Sequence, residues 1–168
     1  MYPQSSQAVS IMNDMAVGGE TPGWQPILLD LHSCNSALWK LEESVRKNGL
    51  EDREVAVLKR EIDRCNMQRH RAISELDRLF FEQFSVSSSG GSGAVLNSET
   101  LGQMLDRLSV LLLKRRNFSA KSDFVSLEKV ERHMRHICAC FDNAVREIMR
   151  GALPPGCDEL KDYGDAGS

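Results

Sequence analysis

The sequence predicts an all-α protein, an antiparallel four-helix bundle made of two long helical hairpins. Apolar residues recur every three or four positions over four long stretches, and no stretch shows the alternation of a β-strand. Short turn signals join the stretches in two pairs, so each pair is expected to fold back on itself. The chain has 168 residues, of which 41% are hydrophobic, and this length suits one domain.

The first hairpin is predicted from helices over residues 27–48 and 51–84. Pro26 suits the first turn of a helix, where its missing N–H group has no partner to lose. Asn48-Gly49 is a strong helix stop because glycine readily adopts the left-handed conformation. The short connection after it requires the two helices to run antiparallel.

The second hairpin is predicted from helices over about residues 99–117 and 122–150. The run Asn97-Ser98-Glu99-Thr100 is typical of a helix start, with a side-chain cap and an acid in the first turn. Gly151 marks the end of the last helix. The helix over 99–117 is apolar on several sides, which indicates a central position.

Three segments outside these helices are expected to be mobile. Residues 1–24 lack a hydrophobic period and are interpreted as an N-terminal arm. Residues 25–151 form the helical domain, and a Ser- and Gly-rich loop over 85–96 interrupts it. Residues 152–168 form an acidic tail.

Composition and charge disfavour several classes of function. The formal net charge is −3 and the basic run at residues 114–116 has no interleaved aromatic residues, which argues against nucleic-acid binding. No apolar run approaches the ~20 residues that span a bilayer, and the N-terminus does not resemble a secretory signal. The 5 cysteines contain no CxxC pair and suit a reducing compartment, so a cytoplasmic location is expected. No phosphate-loop or other cofactor-binding motif is visible in the sequence, and no cofactor is expected.

Two polar stripes border the apolar faces of the first two predicted helices. They consist of His32, Asn35, Trp39, Glu42 and Arg46 on the first helix, and Lys59, Asp63, Asn66, His70 and Asp77 on the second. Arg69 differs from these residues because it projects from the middle of the apolar face. A buried guanidinium needs an acid or several carbonyl groups. We expect the first helix to face the second through two sets of residues, Trp39, Glu42 and Arg46 on one side and Asp63, Asn66 and Arg69 on the other. Asp106 or Glu99 of the third helix is expected as an additional partner of Arg69.

A third polar group lies on the last predicted helix, where His133, His136 and Cys140 share one flank. Imidazole and thiolate are zinc ligands, but three residues of one helix rarely close a site by themselves. The sequence therefore predicts no metal site, and these three residues are its only candidates for one.

Three sequence blocks together resemble a known family. The blocks are LHSCNSALWKLEESVR (31–46), LKREIDRCNMQRHRAISELD (58–77) and NSETLGQMLDRLSVLLLK (97–114). They are similar to the bacterial DUF4254 family of proteins of unknown function, over about residues 27–150. The resemblance implies a helical protein without an established activity. It places the family's recurring polar positions at His32, Asn35, Trp39, Glu42, Arg46, Lys59, Asp63, Asn66, Arg69, Ser98, Glu99, Asp106, Arg107 and Lys114.

Two functions remain open on this basis. The first is an interaction or accessory protein that binds a protein partner or a second copy of itself. This function requires no catalytic residues and is the favoured hypothesis. The alternative is a protein or enzyme that binds an anionic small molecule, such as a phosphorylated or nucleotide-sugar ligand. Its candidate anion binders are Arg46, Lys59, Arg69 and Arg107, and its candidate acid or base residues are Asp63, Asp106 and His32. Lys114 is a further candidate ligand-binding residue. An exposed stripe favours the first function, and a cavity lined by both stripes favours the second.

Overall fold

The computed structural model describes residues 4–14, 23–46, 49–85 and 98–152. Within these ranges the regular structure is entirely helical, which confirms the all-α class. The five helices are α1 (Ser5–Asp14), α2 (Trp24–Val45), α3 (Asp52–Ser85), α4 (Leu101–Ala120) and α5 (Phe124–Met149). None of these described helices combines the length and the apolar character that crossing a membrane requires.

Helix α1 lies within the segment that the sequence places in a mobile arm. A helix of ten residues is rarely stable alone, so its packing must hold it. Ala8 and Met12 are buried in the core. At its start, the Asp142 carboxylate of α5 accepts hydrogen bonds from Ser5 N at 2.9 Å and Ser5 Oγ at 2.8 Å. At its end, Arg116 of α4 donates to the Met12 carbonyl at 3.4 Å.

These charges complement the helix dipole, since an acid lies at the positive end of α1 and a base at its negative end. Asp142 and Arg116 are 137 and 104 residues away from their partners along the chain. Local sequence patterns contain no information about contacts between residues so far apart in the chain. This is why the sequence indicated an arm where the structure has a helix.

Helices α2 and α3 form the first predicted hairpin. α2 ends at Val45, and Gly49 adopts a φ of +87°, the left-handed conformation expected of it. Near the other end of the hairpin, the rings of Trp24 and Phe80 lie 6.0 Å apart. The start of α2 therefore packs against the end of α3, as an antiparallel hairpin requires.

The start of α4 is fixed against α3 by Asp77. The Asp77 carboxylate accepts hydrogen bonds from Thr100 Oγ1 at 2.6 Å and from Gly102 N at 2.7 Å. Thr100 and Gln103 also form a capping box, which confirms that a helix begins here. A Cβ atom on Gly102 would lie 2.7 Å from the Ile73 carbonyl oxygen, so only glycine permits this close approach of the two helices.

Helix α4 crosses the first hairpin from α3 to α2. Gly102 contacts α3, Asp106 contacts both helices, and Ser109 contacts α2. Helices α2 to α5 correspond to the four predicted helices. Because α4 crosses the hairpin and α1 adds a fifth helix, the predicted four-helix bundle of two hairpins is not confirmed in that form.

Helix α5 follows a tight turn and completes the core. Asp123 caps its start by accepting a hydrogen bond from Ser126 N at 3.0 Å, and Gly151 ends it with a φ of +101°. The predicted loop over 85–96 and the acidic tail over 152–168 lie outside the described residues, apart from Ser85 and Ala152.

The core joins all five helices. The apolar spacing of the sequence predicts a core that includes Leu31, Leu38, Leu58, Ile62, Leu76, Leu108, Leu111, Met134, Ile137 and Phe141, and seven of these ten residues are buried. The buried ones are Leu31, Leu76, Leu108, Leu111, Met134, Ile137 and Phe141. Leu38, Leu58 and Ile62 are half-buried, contrary to expectation. These three lie in the half of the hairpin nearer its turn, whereas the aromatic contacts that link Phe80 to Trp24 and Phe141 lie near the other end.

Candidate functional site

A buried polar network lies where α4 crosses α2 and α3. At its centre lies Asp106, a residue that is 5% exposed. Arg69 of α3 donates to both carboxylate oxygens, with Nε 2.8 Å from Oδ1 and Nη2 2.5 Å from Oδ2. Asn35 Nδ2 of α2 donates to the same Oδ1 at 2.9 Å. Asp106 is therefore the acid that Arg69 requires, and the hydrogen bonds to it raise the pKa of the Arg69 guanidinium.

The network continues into the core through Ser109 and His32. Asn35 Nδ2 donates a second hydrogen bond to Ser109 Oγ at 3.0 Å, and His32 Nδ1 lies 2.8 Å from that same oxygen. His32 is 1% exposed and Ser109 is 0% exposed. Burial lowers the pKa of His32, and the positive charge of nearby Arg116 lowers it further. The neutral imidazole is thus the form that the folded protein stabilises.

We expect the free energy of unfolding to depend on pH through His32. Below its ordinary pKa of 6.5, an unfolded histidine binds a proton that the folded protein excludes. Stability should therefore fall as the pH decreases through 6.5, by up to about 1.4 kcal/mol per pH unit, until the lowered pKa is reached. Urea unfolding at pH 7.5 and 5.5 measures this slope. His32→Gln should reduce it, whereas His70→Gln, at an exposed position on α3, should leave it unchanged; equal slopes in all three proteins would contradict the assignment.

A cleft of about 400 Å³ opens over the outer side of this network. Helices α2, α3 and α4 each contribute to its walls. The lining residues are Asn35, Leu38, Trp39, Glu42, Glu43, Arg46, Asn66, Arg69, Val110, Leu113 and Lys114. The cleft thus has an apolar wall, one tryptophan, and charged groups of both signs.

Comparison with known proteins places these helices in a family. A model of proteins of unknown function, DUF4254, matches residues 25–140. The chain belongs to the DUF4254 family. The matched segment includes α2, α3 and α4, which together form the cleft and its network. No curated protein and no solved structure matches the chain.

In this DUF4254 protein, four of the five first-stripe residues line the cleft, together with three other candidate residues from α3 and α4. Asn35, Trp39, Glu42 and Arg46 reach it from α2, Asn66 and Arg69 reach it from α3, and Lys114 reaches it from α4. His32 and Asp106 lie behind it in the network. The first stripe therefore faces the cleft, whereas the second stripe contributes only Asn66 to its lining.

Three other candidates lie elsewhere. Lys59 is exposed on α3. Asp63 lines a shallow, open groove that α3 forms with its own side chains. Arg107 faces α5, where it donates to both oxygens of Glu99 at 2.6 Å and to His133 Nε2 at 2.9 Å. Glu99 is therefore the partner of Arg107 and not of Arg69.

The histidines of α5 are divided between two contacts. His133 accepts a hydrogen bond from Arg107, whereas His136 Nε2 lies 3.7 Å from Cys140 Sγ. Among the described residues, no group of three or more His, Cys, Asp or Glu side chains is arranged to hold a metal ion. His136 and Cys140 instead line a smaller cavity of about 270 Å³, together with Arg107 and Glu99.

The candidate acid or base residues are poorly placed for proton transfer to a ligand. Asp106 is buried and holds Arg69 and Asn35. His32 and Ser109 are fully enclosed, so a substrate in the cleft cannot reach either side chain. Asp63 lies outside the cleft lining. The arrangement can bind and orient a molecule in the cleft, with the network holding the cleft wall in place.

Two residues of the site were missing from the sequence-based candidates. Glu43 follows Trp39 by four positions, so it lies on the same face of α2 and reaches the cleft. Ser109 follows Asp106 by three positions and joins the network. Helical spacing could have identified both residues, but only the path of α4 shows which faces of α2 and α4 form the cleft and the network.

Proposed function

We propose that this DUF4254 protein binds a small molecule with an anionic group in the cleft between α2, α3 and α4. The observation that carries the proposal is that one cavity is lined by four residues of the first polar stripe and by Asn66, Arg69 and Lys114 of the two neighbouring helices. A volume of about 400 Å³ lies within the range of small-molecule sites, which is roughly 300–1,000 Å³. An aromatic and apolar wall with a few polar groups is also typical of such sites.

The charge of the cleft supports an anionic group on the ligand. The Arg69 guanidinium is held by Asp106, but Arg46 and Lys114 reach the cleft from opposite helices. Arg46 has one carboxylate at 3.9 Å, Glu42, and its side chain is 76% exposed. A surface pair of this kind is weak, so a ligand anion can compete for the guanidinium.

Binding rather than catalysis is the function that this geometry favours. The buried network satisfies its own acid and base groups, as described above. Among the described residues that line the cleft, Glu42 and Glu43 are the only carboxylates, and both lie on its α2 side. We therefore propose a binding protein, with no reaction assigned to it.

A thermal-shift screen of the full chain tests the proposal. The probes are inorganic phosphate, citrate, hexose phosphates, nucleoside phosphates and nucleotide sugars. A ligand at a hundred times its Kd stabilises a protein by about 2.7 kcal/mol, which corresponds to a Tm increase of roughly 5–10 °C at this size. We expect such an increase with at least one anionic probe.

A matched pair of lysine variants locates the site. Lys114→Gln should abolish most of the ligand-induced Tm increase because Lys114 lines the cleft. Lys59→Gln removes the same charge from an exposed position on α3 and should retain the full increase. An equal loss in both variants, or no response to any probe, would contradict the proposal.

A protein-interaction role is the second candidate. Phe124 and Val125, at the start of α5, are 74% and 67% exposed, which is unusual for large apolar side chains. They offer a contact surface away from the cleft lining. A chain that none of the anionic probes stabilises would favour this role.

A further inference from the structure

The order of side chains along α2 points to a particular class of ligand. Trp39, Glu42, Glu43 and Arg46 follow the spacing of one helical face, and all four line the cleft. From Trp39 to Arg46 the helix rises about 10 Å. A molecule lying along this face meets an aromatic ring, then two carboxylates, then a cation.

The two carboxylates are informative because they oppose simple anions. Arg46 and Lys114 carry two positive charges into the cleft, and Glu42 and Glu43 carry two negative ones. The Arg69 charge is neutralised by Asp106. A cleft with this balance has little attraction for a small, highly charged anion such as free phosphate or citrate, which the carboxylates would repel.

Carboxylates bind ligand groups that donate hydrogen bonds, and sugar hydroxyls are such donors. An ionised carboxylate accepts stronger hydrogen bonds than a neutral acceptor does. A tryptophan supplies a flat apolar surface beside them, and the amide of Asn66 offers both a donor and an acceptor. This combination fits a polyhydroxylated ring with one anionic end.

On the basis of the proposed function, we infer that the ligand is a sugar phosphate. Its ring lies against Trp39, its hydroxyl groups donate to Glu42 and Glu43, and its phosphate binds Arg46 and Lys114. The same chemistry occurs in a free hexose phosphate and in the ribose phosphate part of a nucleotide or nucleotide sugar. The inference therefore concerns recognition of the sugar phosphate group, which these ligands share.

Fluorescence titration tests this inference because the chain has 2 tryptophans with different surroundings. Trp24 is 3% exposed and packs against Phe80, whereas Trp39 lines the cleft. In a Trp24→Phe variant, the emission reports Trp39 alone. We expect glucose 6-phosphate, adenosine monophosphate or UDP-glucose to change this emission, with Kd at least tenfold lower than that of inorganic phosphate or citrate. The tightest of the three probes identifies the source of the sugar phosphate.

Glu43→Gln distinguishes hydroxyl recognition from simple charge. If Glu43 accepts sugar hydroxyls, its loss weakens sugar-phosphate binding about tenfold but strengthens inorganic phosphate binding, because a repelling charge is gone. If the acid only repels anions, the variant binds both probes more tightly, and the inference is wrong. Thermal shifts of the otherwise unaltered chain provide the same comparison should Trp24→Phe fail to fold.

The two proposals fail in different ways. Binding of inorganic phosphate or citrate as tight as that of the sugar phosphates would overturn the sugar-phosphate inference and retain an anion-binding cleft. Binding that Lys114→Gln does not weaken would overturn both, since the ligand would then lie outside the cleft. The absence of binding by every probe would also overturn both.

Discussion

Replacing Arg69 by methionine is expected to lower the free energy of unfolding by about 3 kcal/mol. The substitution leaves the carboxylate of Asp106, a residue that is 5% exposed, without its cation. A buried charge without a partner cannot recover the hydration that it lost on folding, and this makes the removal of one partner costly. The Arg69 side chain is itself 28% exposed, so we expect the low end of the usual range for buried pairs.

Urea unfolding measures this effect, and a second arginine of α3 provides the matched control. Arg78 contacts Glu75 and Glu82 on the surface of the same helix. Arg78→Met should change stability little, because exposed ion pairs contribute little. Equal destabilisation by the two variants would show that the Arg69–Asp106 pair has no special role.

A double variant distinguishes the cost of an unpaired buried charge from the cost of altered packing at the site. Arg69→Met with Asp106→Leu removes both charges and should recover much of the lost stability, because no uncompensated carboxylate remains. On the sequence alone, which places Arg69 on an apolar helix face, Arg69→Met is expected to keep the fold if Arg69 has only a structural role. The structure changes this expectation, since the bidentate contact and the burial of Asp106 make the single substitution costly.

Truncating Leu108 to alanine is expected to cost about 2–5 kcal/mol. Leu108 lies on α4 at the centre of the core and is 0% exposed. Its removal takes three buried carbon atoms from a packed interior and leaves a cavity that the crossing helices can fill only in part. Thermal and urea unfolding should both register the loss.

Leu58→Ala is the matched control for Leu108→Ala. Leu58 carries the same side chain and was also expected in the core, but it is half-buried near the turn of the α2–α3 hairpin. Its truncation should cost about 1–2 kcal/mol, because water already reaches the site and a smaller cavity forms. A larger cost for Leu58 than for Leu108 would contradict the observed position of the core.

Several features of the fold could be predicted from the sequence because short-range physics determines them. Gly49 adopts the left-handed conformation in the turn after α2, and the capping groups of Thr100 and Asp123 start α4 and α5. Each of these devices acts within three or four residues. The all-α class followed from the same local periodicity.

The site was predictable only in part. Helical spacing identified the stripe residues, and the apolar surroundings of Arg69 indicated that it needed an acid. Sequence left Asp106 and Glu99 as equal choices, and the path of α4 assigned Asp106 to Arg69 and Glu99 to Arg107. The same path excluded Lys59 and Asp63 from the cleft lining and brought in Glu43.

The sequence by itself determined helices α2 to α5, the caps of α4 and α5 and the faces on which polar residues lie, because each depends on neighbours within a turn or two. Only the tertiary structure decided that α1 docks, that α4 crosses the hairpin, and that the first stripe lines a cleft with residues of α3 and α4. Gly102 permits the close contact with the Ile73 carbonyl, and Asp77 anchors the start of α4 beside it. These contacts join residues that are distant in the chain, and their geometry depends on how complete helices pack together, which no local pattern records.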